Sequence, residues 1–160
     1  MPEKTLFREV RGDDLSHAEE LLFAYNPNAI VQGRYYLAVA DGVIAGIVGL
    51  LQRSWYLSEI RHLFVRPELR RKGLGTLLVK KVLEEVKTPL TCCTVRENNE
   101  ASLALFRSAG FASERRFVNP ETGHTVFLMV KPSRSCYCDE IRKIYPEAVC
   151  DFCSGLRTEL

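Results

Sequence analysis

The segment VRPELRRKGLGTLLVKK, residues 65–81, decides how this chain is organised. Three consecutive basic residues, 70–72, lead into Gly73 and Gly75, and an apolar helical pattern follows. Glycine lets the backbone approach a ligand closely because it has no Cβ. The first N–H groups of a helix lack intrahelical partners and carry partial positive charge. The segment therefore predicts an anion site at the start of a helix.

The charge of the chain is small in total but unevenly distributed. Residues 66–81 contain six Lys or Arg and one Glu, a local charge of +5. Because the whole chain carries +2, the remaining residues sum to −3. Positive charge confined to one loop and one helix suits a small ligand with several phosphates better than a long nucleic-acid backbone. We therefore expect no nucleic-acid partner.

Length and composition are those of an ordinary soluble domain. The chain has 160 residues, of which 46% are hydrophobic and 26% charged, enough for one well-buried core. There is no run of 18 apolar residues, which predicts no membrane partner. The N-terminal MPEKTLFREV has no long apolar core, which predicts no signal peptide. We expect a cytoplasmic protein that is a monomer or a homodimer.

Periodicity and turn residues predict ten elements in the order β-α-β-β-β-α-β-α-β-β. The strongest turn signal is Asp41-Gly42, which joins two β-rich runs as a hairpin. Gly110 is a good residue to follow the end of a helix. The predicted strands cover residues 5–12, 35–40, 43–53, 55–65, 90–96, 111–118 and 124–131, and the predicted helices cover 13–25, 73–87 and 99–110.

Two motifs carry a resemblance to a known family. Residues 70–75 fit the arrangement R-x-x-G-x-G after a strand. Residues 98–111, NNEASLALFRSAGF, fit N-x-x-[AS]-x-x-x-[YF]-x-x-x-G-F through Asn99, Ser102, Phe106, Gly110 and Phe111. Two motifs in this order, on these elements, resemble the GNAT superfamily of N-acetyltransferases over residues 5–131.

The resemblance implies an α/β fold with a mixed, mostly antiparallel sheet and helices on both faces. It also implies acetyl-CoA as the acetyl donor and an amine as the acceptor, on a small molecule or on a protein or peptide. The strand backbone at Leu63, Phe64 and Val65 is expected to pair with the pantetheine arm, and Asn99, Ser102 and Phe106 are expected to lie beside that arm. The N–H groups expected to hold the pyrophosphate are those of Arg70, Arg71, Lys72, Gly73, Leu74, Gly75 and Thr76.

Acetyl transfer to an amine also requires a base and an oxyanion donor. Glu59 lies four residues before Leu63, where some members of the resembled family carry a glutamate base, and it would share a strand face with residues 61, 63 and 65 if no bulge intervenes. His62 is the competing candidate because its ordinary pKa is near ~6.5. A backbone N–H near Val65 is the expected oxyanion donor.

Phe106 departs from the pattern. Many members of the family place a tyrosine there, which protonates the departing sulfur, and phenylalanine cannot do so. A thiol has a pKa of roughly 8.5, so its thiolate can leave without an acid, and water or Ser102 could also donate a proton. The alternative function is a CoA-binding or metal-binding regulatory module with weak or no catalysis.

The last part of the chain, residues 132–160, is predicted to be a Cys-rich appendage to the domain formed by residues 1–131. Two close pairs of cysteines lie there, and four thiolates can complete a tetrahedral structural zinc site. Disulfides and free thiols are the alternatives, although a reducing compartment disfavours disulfides. The expected zinc ligands are Cys136, Cys138, Cys150 and Cys153.

Overall fold

The computed structural model describes residues 4–133 of the chain. The ten predicted elements are all present in the predicted order, with one additional short 3₁₀ turn, Pro67–Leu69. The strands are β1 (Thr5–Glu9), β2 (Arg34–Ala40), β3 (Val43–Gln52), β4 (Leu57–Val65), β5 (Leu90–Arg96), β6 (Ala112–Val118) and β7 (Thr125–Pro132). The helices are α1 (Asp14–Tyr25), α2 (Leu74–Glu84) and α3 (Glu100–Ser108).

The seven strands form one sheet in the order β1-β2-β3-β4-β5-β7-β6. Neighbouring strands are antiparallel except β4 and β5, which are parallel. A parallel pair needs a crossover connection, and α2 supplies it. The predicted mixed, mostly antiparallel sheet is therefore confirmed, and its one parallel pair lies at its centre.

Helices cover both faces of the sheet, as predicted. On the α1 face, Leu21 and Leu22 pack with Tyr35, Leu37 and Ile47. The α2–α3 face holds the larger core, in which α2 and α3 pack on the sheet. Its buried helical residues are Leu74, Leu78, Val79, Val82, Leu103 and Phe106. Burial of these apolar side chains is the main favourable contribution to folding.

A bulge in β4 corrects the predicted face of its last residues. The register between β3 and β4 shifts after Ile47, and His62 has a φ of 53°. One extra residue reverses the alternation of side chains along the rest of a strand. Leu63 and Val65 therefore pack on the α2–α3 face, whereas Phe64 packs on the α1 face. Glu59 does not share a face with Leu63 and Val65, as it would in a regular strand.

Several predicted elements are longer than the observed ones. The first strand ends at Glu9 and α2 ends at Glu84. β4 begins at Leu57 because the hydroxyl oxygen of Ser54 accepts hydrogen bonds from the backbone N–H groups of Tyr56 and Leu57, which makes residues 53–56 a tight turn. Side-chain bonds of this kind compete with the sheet ladder.

The Asp41-Gly42 hairpin prediction is confirmed. Both residues have positive φ, 50° and 81°, as a two-residue turn between twisted strands requires. At the other end of the described chain, the Ser133 N–H donates to the Pro89 carbonyl oxygen after β7. The division between residues 1–131 and 132–160 stays a prediction, because residues 134–160 lie outside the described part. None of the helices within residues 4–133 has the length and hydrophobicity of a membrane-spanning segment.

Leu78 allows a direct test of the α2–α3 core. Its side chain is fully buried and reaches Gly46 on β3. We expect Leu78→Ala to lower the free energy of unfolding by about 2–5 kcal/mol, because the cavity adds to the lost transfer energy. Urea unfolding followed by circular dichroism measures the change. The exposed Lys80 on the same helix provides the control: Lys80→Ala should change the same free energy by about 0.5 kcal/mol or less.

Candidate active site

The parallel strands β4 and β5 separate at one end, and this gap is called the β4–β5 opening below. Their pairing consists of three residue pairs and ends with Glu59 opposite Cys92. Beyond that pair, β4 continues along β3 to Val65, while β5 continues along β7 to Arg96. Backbone groups of β4 that face the opening are therefore unpaired with β5. Main-chain groups left free in this way can pair with an extended ligand.

The turn formed by residues 70–76, called the basic turn, lies at the same end of the sheet. Gly73 is the N-cap of α2 and has a φ of 79°, and Arg71 has a φ of 61°. The first helical hydrogen bond runs from the Leu77 N–H to the Gly73 carbonyl oxygen. The N–H groups of Leu74, Gly75 and Thr76 thus precede the helical ladder and can bind an anion.

Arg70 and Gly75 of the basic turn have structural roles that the sequence did not indicate. Arg70 turns back toward β4, where its Nε donates to the Val65 carbonyl oxygen at 2.9 Å and its guanidinium lies 5.5 Å from the centre of the Phe64 ring. A Cβ on Gly75 would come within 2.9 Å of a methyl group of Leu105, so this glycine lets α3 pack closely. Arg71 and Lys72 are exposed and add charge beside the N-terminus of α2.

The second motif forms a helix with a defined cap at each end. Asn99 is the N-cap of α3, and its side-chain oxygen accepts from the Ser102 N–H at 3.1 Å. At the other end, the Gly110 N–H donates to the Arg107 carbonyl oxygen and the Phe111 N–H to that of Phe106. These are the two bonds of a Schellman motif. The amide nitrogen of Asn99 remains able to donate to a ligand.

Phe106 belongs to the core of the α2–α3 face. Its side chain is buried and meets the Phe111 ring edge-on, with ring centres 5.2 Å apart. This contact between the third-last helical residue and the residue after the glycine accompanies the Schellman bonds. Ser102, one helical turn earlier, is half-buried. Phenylalanine has no hydroxyl group, so Phe106 cannot protonate a departing sulfur as the tyrosine of the resembled family would.

Glu59 lies at the closed end of the β4–β5 opening and is not free. Its carboxylate forms an ion pair with Arg53 at 2.5 Å, across the tight turn between β3 and β4. The Glu59 side chain keeps 17% of its surface exposed. Water can therefore reach the carboxylate, which would have to act on an acceptor through water or after the ion pair opens.

His62 is held by a residue that the sequence did not single out. The hydroxyl of Tyr35, on β2, lies 2.8 Å from His62 Nδ1, and the two rings are nearly parallel. Burial lowers the pKa of His62 below 6.5, and the neighbouring Arg61 lowers it further, although Glu59 acts in the opposite direction. Burial raises the pKa of Tyr35. At neutral pH the pair is therefore a protonated phenol and a neutral imidazole.

A second cavity lies elsewhere in the fold. It has a volume of about 910 Å³ and runs between the later turns of α2 and α3, over the start of β5. Val79, Leu83 and Leu105 supply much of its apolar wall. It includes Thr76 from the basic turn but none of Leu63, Phe64 and Val65. The cavity thus meets the basic turn at Thr76 but does not run along the last residues of β4.

The structure does not describe the residues of the predicted zinc site. Within residues 4–133 there is no group of three or more His, Cys, Asp or Glu side chains that could hold a metal ion. Cys136, Cys138, Cys150 and Cys153 lie outside the described residues. The predicted zinc site therefore stays a prediction.

Comparison with known proteins identifies the family. Residues 4–111 match the model of the acetyltransferase (GNAT) family. A curated relative, the N-alpha-acetyltransferase RimI of Mycobacterium tuberculosis, is 28% identical over 92 residues. This match spans 55% of the chain and 58% of the relative, so it covers somewhat more than half of each protein.

Solved structures share the fold. The ribosomal-protein-S18-alanine N-acetyltransferase of Escherichia coli has a TM-score of 0.66 and 17% identity, covering 84% of this chain and 99% of that one. NAA60 of Arabidopsis thaliana in complex with acetyl-CoA has a TM-score of 0.67 and 16% identity, covering 81% and 98%. At these identities the comparison establishes a common architecture.

The thiol of Cys92 gives a pH test of the closed end of the opening. Burial is the main cause that raises its pKa to about 11, so the native state favours the neutral thiol. At pH 7.5 only about 1 thiol in 3,000 is then ionised, and the thiolate is the reactive form. We expect the rate of Cys92 alkylation by iodoacetamide to rise about tenfold per pH unit from pH 7 to 10. Peptide mapping by mass spectrometry follows this cysteine separately. A plateau near pH 9 would contradict the buried environment.

Proposed function

Because the chain belongs to the GNAT acetyltransferase family, we propose that it transfers the acetyl group of acetyl-CoA to an amine. The observation that carries the proposal is the coincidence of two features at one end of the sheet. β4 and β5 stop pairing after Glu59 and Cys92, and α2 begins with the basic turn at residues 70–76. An extended arm with a pyrophosphate at one end fits this combination of an open strand edge and an anion site.

The direction of the donor follows from the order of residues along β4. The pyrophosphate would bind the N–H groups of Leu74, Gly75 and Thr76, with the exposed Arg71 and Lys72 beside it. From there the pantetheine would run along Val65, Phe64 and Leu63, toward the middle of β4. The thioester would then lie beyond Leu63, level with the bulge at His62. Asn99, at the N-terminus of α3, would donate its amide N–H to the pantetheine.

In the reaction, the neutral amine nitrogen forms a bond to the acetyl carbon, and the C–S bond breaks to release the thiolate of CoA. The proton that the amine loses passes to Glu59, directly or through water. With the donor in this direction, unpaired backbone N–H groups of β4 next to the bulge, rather than near Val65, would stabilise the negative charge that develops on the carbonyl oxygen. The thiolate takes its proton from water, because Phe106 has none to give.

A peptide with a free N-terminal amine is the first acceptor to test, because one relative is described as an N-alpha-acetyltransferase and one structure as a ribosomal-protein-S18-alanine N-acetyltransferase. Three acceptors distinguish the classes of amine: a peptide with a free N-terminus and no lysine, an N-terminally blocked peptide with one lysine, and spermidine. Acetyl-CoA consumption and the mass of the product identify the amine that is modified. CoA binding without turnover on any of them would favour the regulatory alternative.

Gly73 tests the placement of the donor. A side chain there would be strained at a φ of 79° and would crowd the anion site. We expect Gly73→Val to weaken CoA binding at least about tenfold, or 1.4 kcal/mol, by calorimetry. Gly123→Val is the matched control, since Gly123 also has positive φ, 71°, but its Cβ would point into open space. Equal affinities in the two variants and the wild type would exclude the basic turn as the CoA site.

Glu59 tests the proposed base. We expect Glu59→Gln to lower kcat/KM for the acceptor about 100- to 10,000-fold, because the amide cannot accept the amine proton. The affinity for CoA should not change, since Glu59 lies at the closed end of the opening. Glu68→Gln, an exposed carboxylate before the basic turn, is the control and should keep full activity. Activity of Glu59→Gln within twofold of the wild type would assign deprotonation to another group or to water.

A further inference from the structure

The bulge in β4 lies level with the proposed thioester, and a histidine is its residue with positive φ. His62 has a φ of 53°, which is uncommon for a residue other than glycine. Its ring lies against Tyr35, and Tyr35 belongs to the core on the α1 face. The bulge therefore presents this ring on the α1 face, opposite to the face on which α2 and α3 pack.

The chain makes room for this contact at Gly49. A Cβ on Gly49 would come within 2.9 Å of the Tyr35 ring and 3.1 Å of the Arg61 side chain. Because β3 has no side chain at this point, Tyr35 on β2 reaches across it to His62 on β4. Two residues separated by 27 positions thus form a hydrogen bond across an intervening strand.

The chemistry of the two groups decides where the protons lie. Tyr35 remains a protonated phenol because burial raises its pKa. His62 remains neutral because burial and the adjacent Arg61 lower its pKa, although Glu59 acts in the opposite direction. A phenolic O–H is a good donor, and the unprotonated nitrogen of imidazole is a good acceptor. This chemistry favours a hydrogen bond in which the Tyr35 hydroxyl donates to His62 Nδ1.

From this arrangement, and resting on the proposed function, we infer that Tyr35 holds His62 in the tautomer with its proton on Nε2, so that His62 is a hydrogen-bond donor to the acetyl carbonyl oxygen. Nδ1 is occupied by the Tyr35 hydroxyl and Nε2 bears a proton, so neither ring nitrogen is free to accept the proton of the amine. His62 then transfers no proton. It adds a side-chain donor to the backbone N–H groups of β4, while Tyr35 acts only by positioning the ring.

Nuclear magnetic resonance tests the tautomer without any substrate. Long-range ¹H–¹⁵N spectra of the full chain at pH 8 should show His62 with a protonated Nε2 and an unprotonated Nδ1. In Tyr35→Phe, which keeps the ring in the core, the two nitrogens should move toward the averaged shifts of an unconstrained imidazole. Thermal unfolding confirms that this variant is folded. An Nδ1–H tautomer, an averaged ring or an imidazolium in the wild type would overturn the inference.

Kinetics with the acceptor panel test the role of the donor. Glutamine can place an amide N–H near the position of Nε2, but leucine cannot donate. We expect His62→Leu to lower kcat about 100- to 1,000-fold, and His62→Gln to stay within about tenfold of the wild type, with CoA affinity unchanged in both. Tyr35→Phe should lower kcat with little change in KM for acetyl-CoA.

The outcomes separate this inference from the proposed function. A wild-type chain that turns over no amine contradicts the proposed function, and the resonance experiment still decides whether Tyr35 sets the tautomer. If the wild type is active and His62→Leu keeps its activity, the donor role is wrong while the proposed function stands. Equal large losses in His62→Gln and His62→Leu would assign His62 as a base instead.

Discussion

The end of backbone pairing between β4 and β5 is the constraint on which the rest of the site depends. Parallel strands joined by a helix would normally stay paired along their length, but here pairing ends at Glu59 and Cys92. The bulge at His62 bends β4 just beyond this point, as bulges do. Arg70 stabilises the separated end by donating to the Val65 carbonyl oxygen and covering the Phe64 ring. The opening therefore depends on the end of strand pairing at Glu59, the bulge at His62 and the contacts of Arg70 with the end of β4.

The same bulge places neighbouring side chains of β4 on opposite faces of the sheet. With it, Leu63 and Val65 pack on the side of α2 and α3, where the basic turn lies. Phe64 and His62 lie on the side of α1, where Tyr25 stacks on Phe64 with ring centres 4.6 Å apart. A donor that enters beside α2 would thus present its acetyl group toward the α1 face. The acceptor would approach from there, so the two substrates need not compete for one entrance.

The sequence predicted the element order, the basic turn and the helix from Asn99, because each depends on local signals. Turn residues, a basic run before glycines and a cap at each end of α3 can all be read within a few positions. The bulge could not be predicted, since a histidine with positive φ has no local signature and arises from pairing with β3. Tyr35 was missed because its partner is 27 positions away. The ion pair of Glu59 with Arg53 could have been anticipated, because both residues flank one tight turn.

Because Phe106 is not an acid, the protein offers no side chain at this position to protonate the leaving thiolate. A tyrosine hydroxyl would help the sulfur leave, but Phe106 is packed into the core against Phe111. The neutral imidazole of His62 cannot replace it, because the N–H of a neutral imidazole is a far weaker acid than a thiol and does not give its proton to a thiolate. Since thiols have a pKa of roughly 8.5, the thiolate can leave unprotonated near neutral pH. Formation of the new C–N bond, rather than departure of the sulfur, is then the step that the protein must assist. Under the proposed function, the donors of the β4 bulge and the carboxylate of Glu59 are the groups that would assist it.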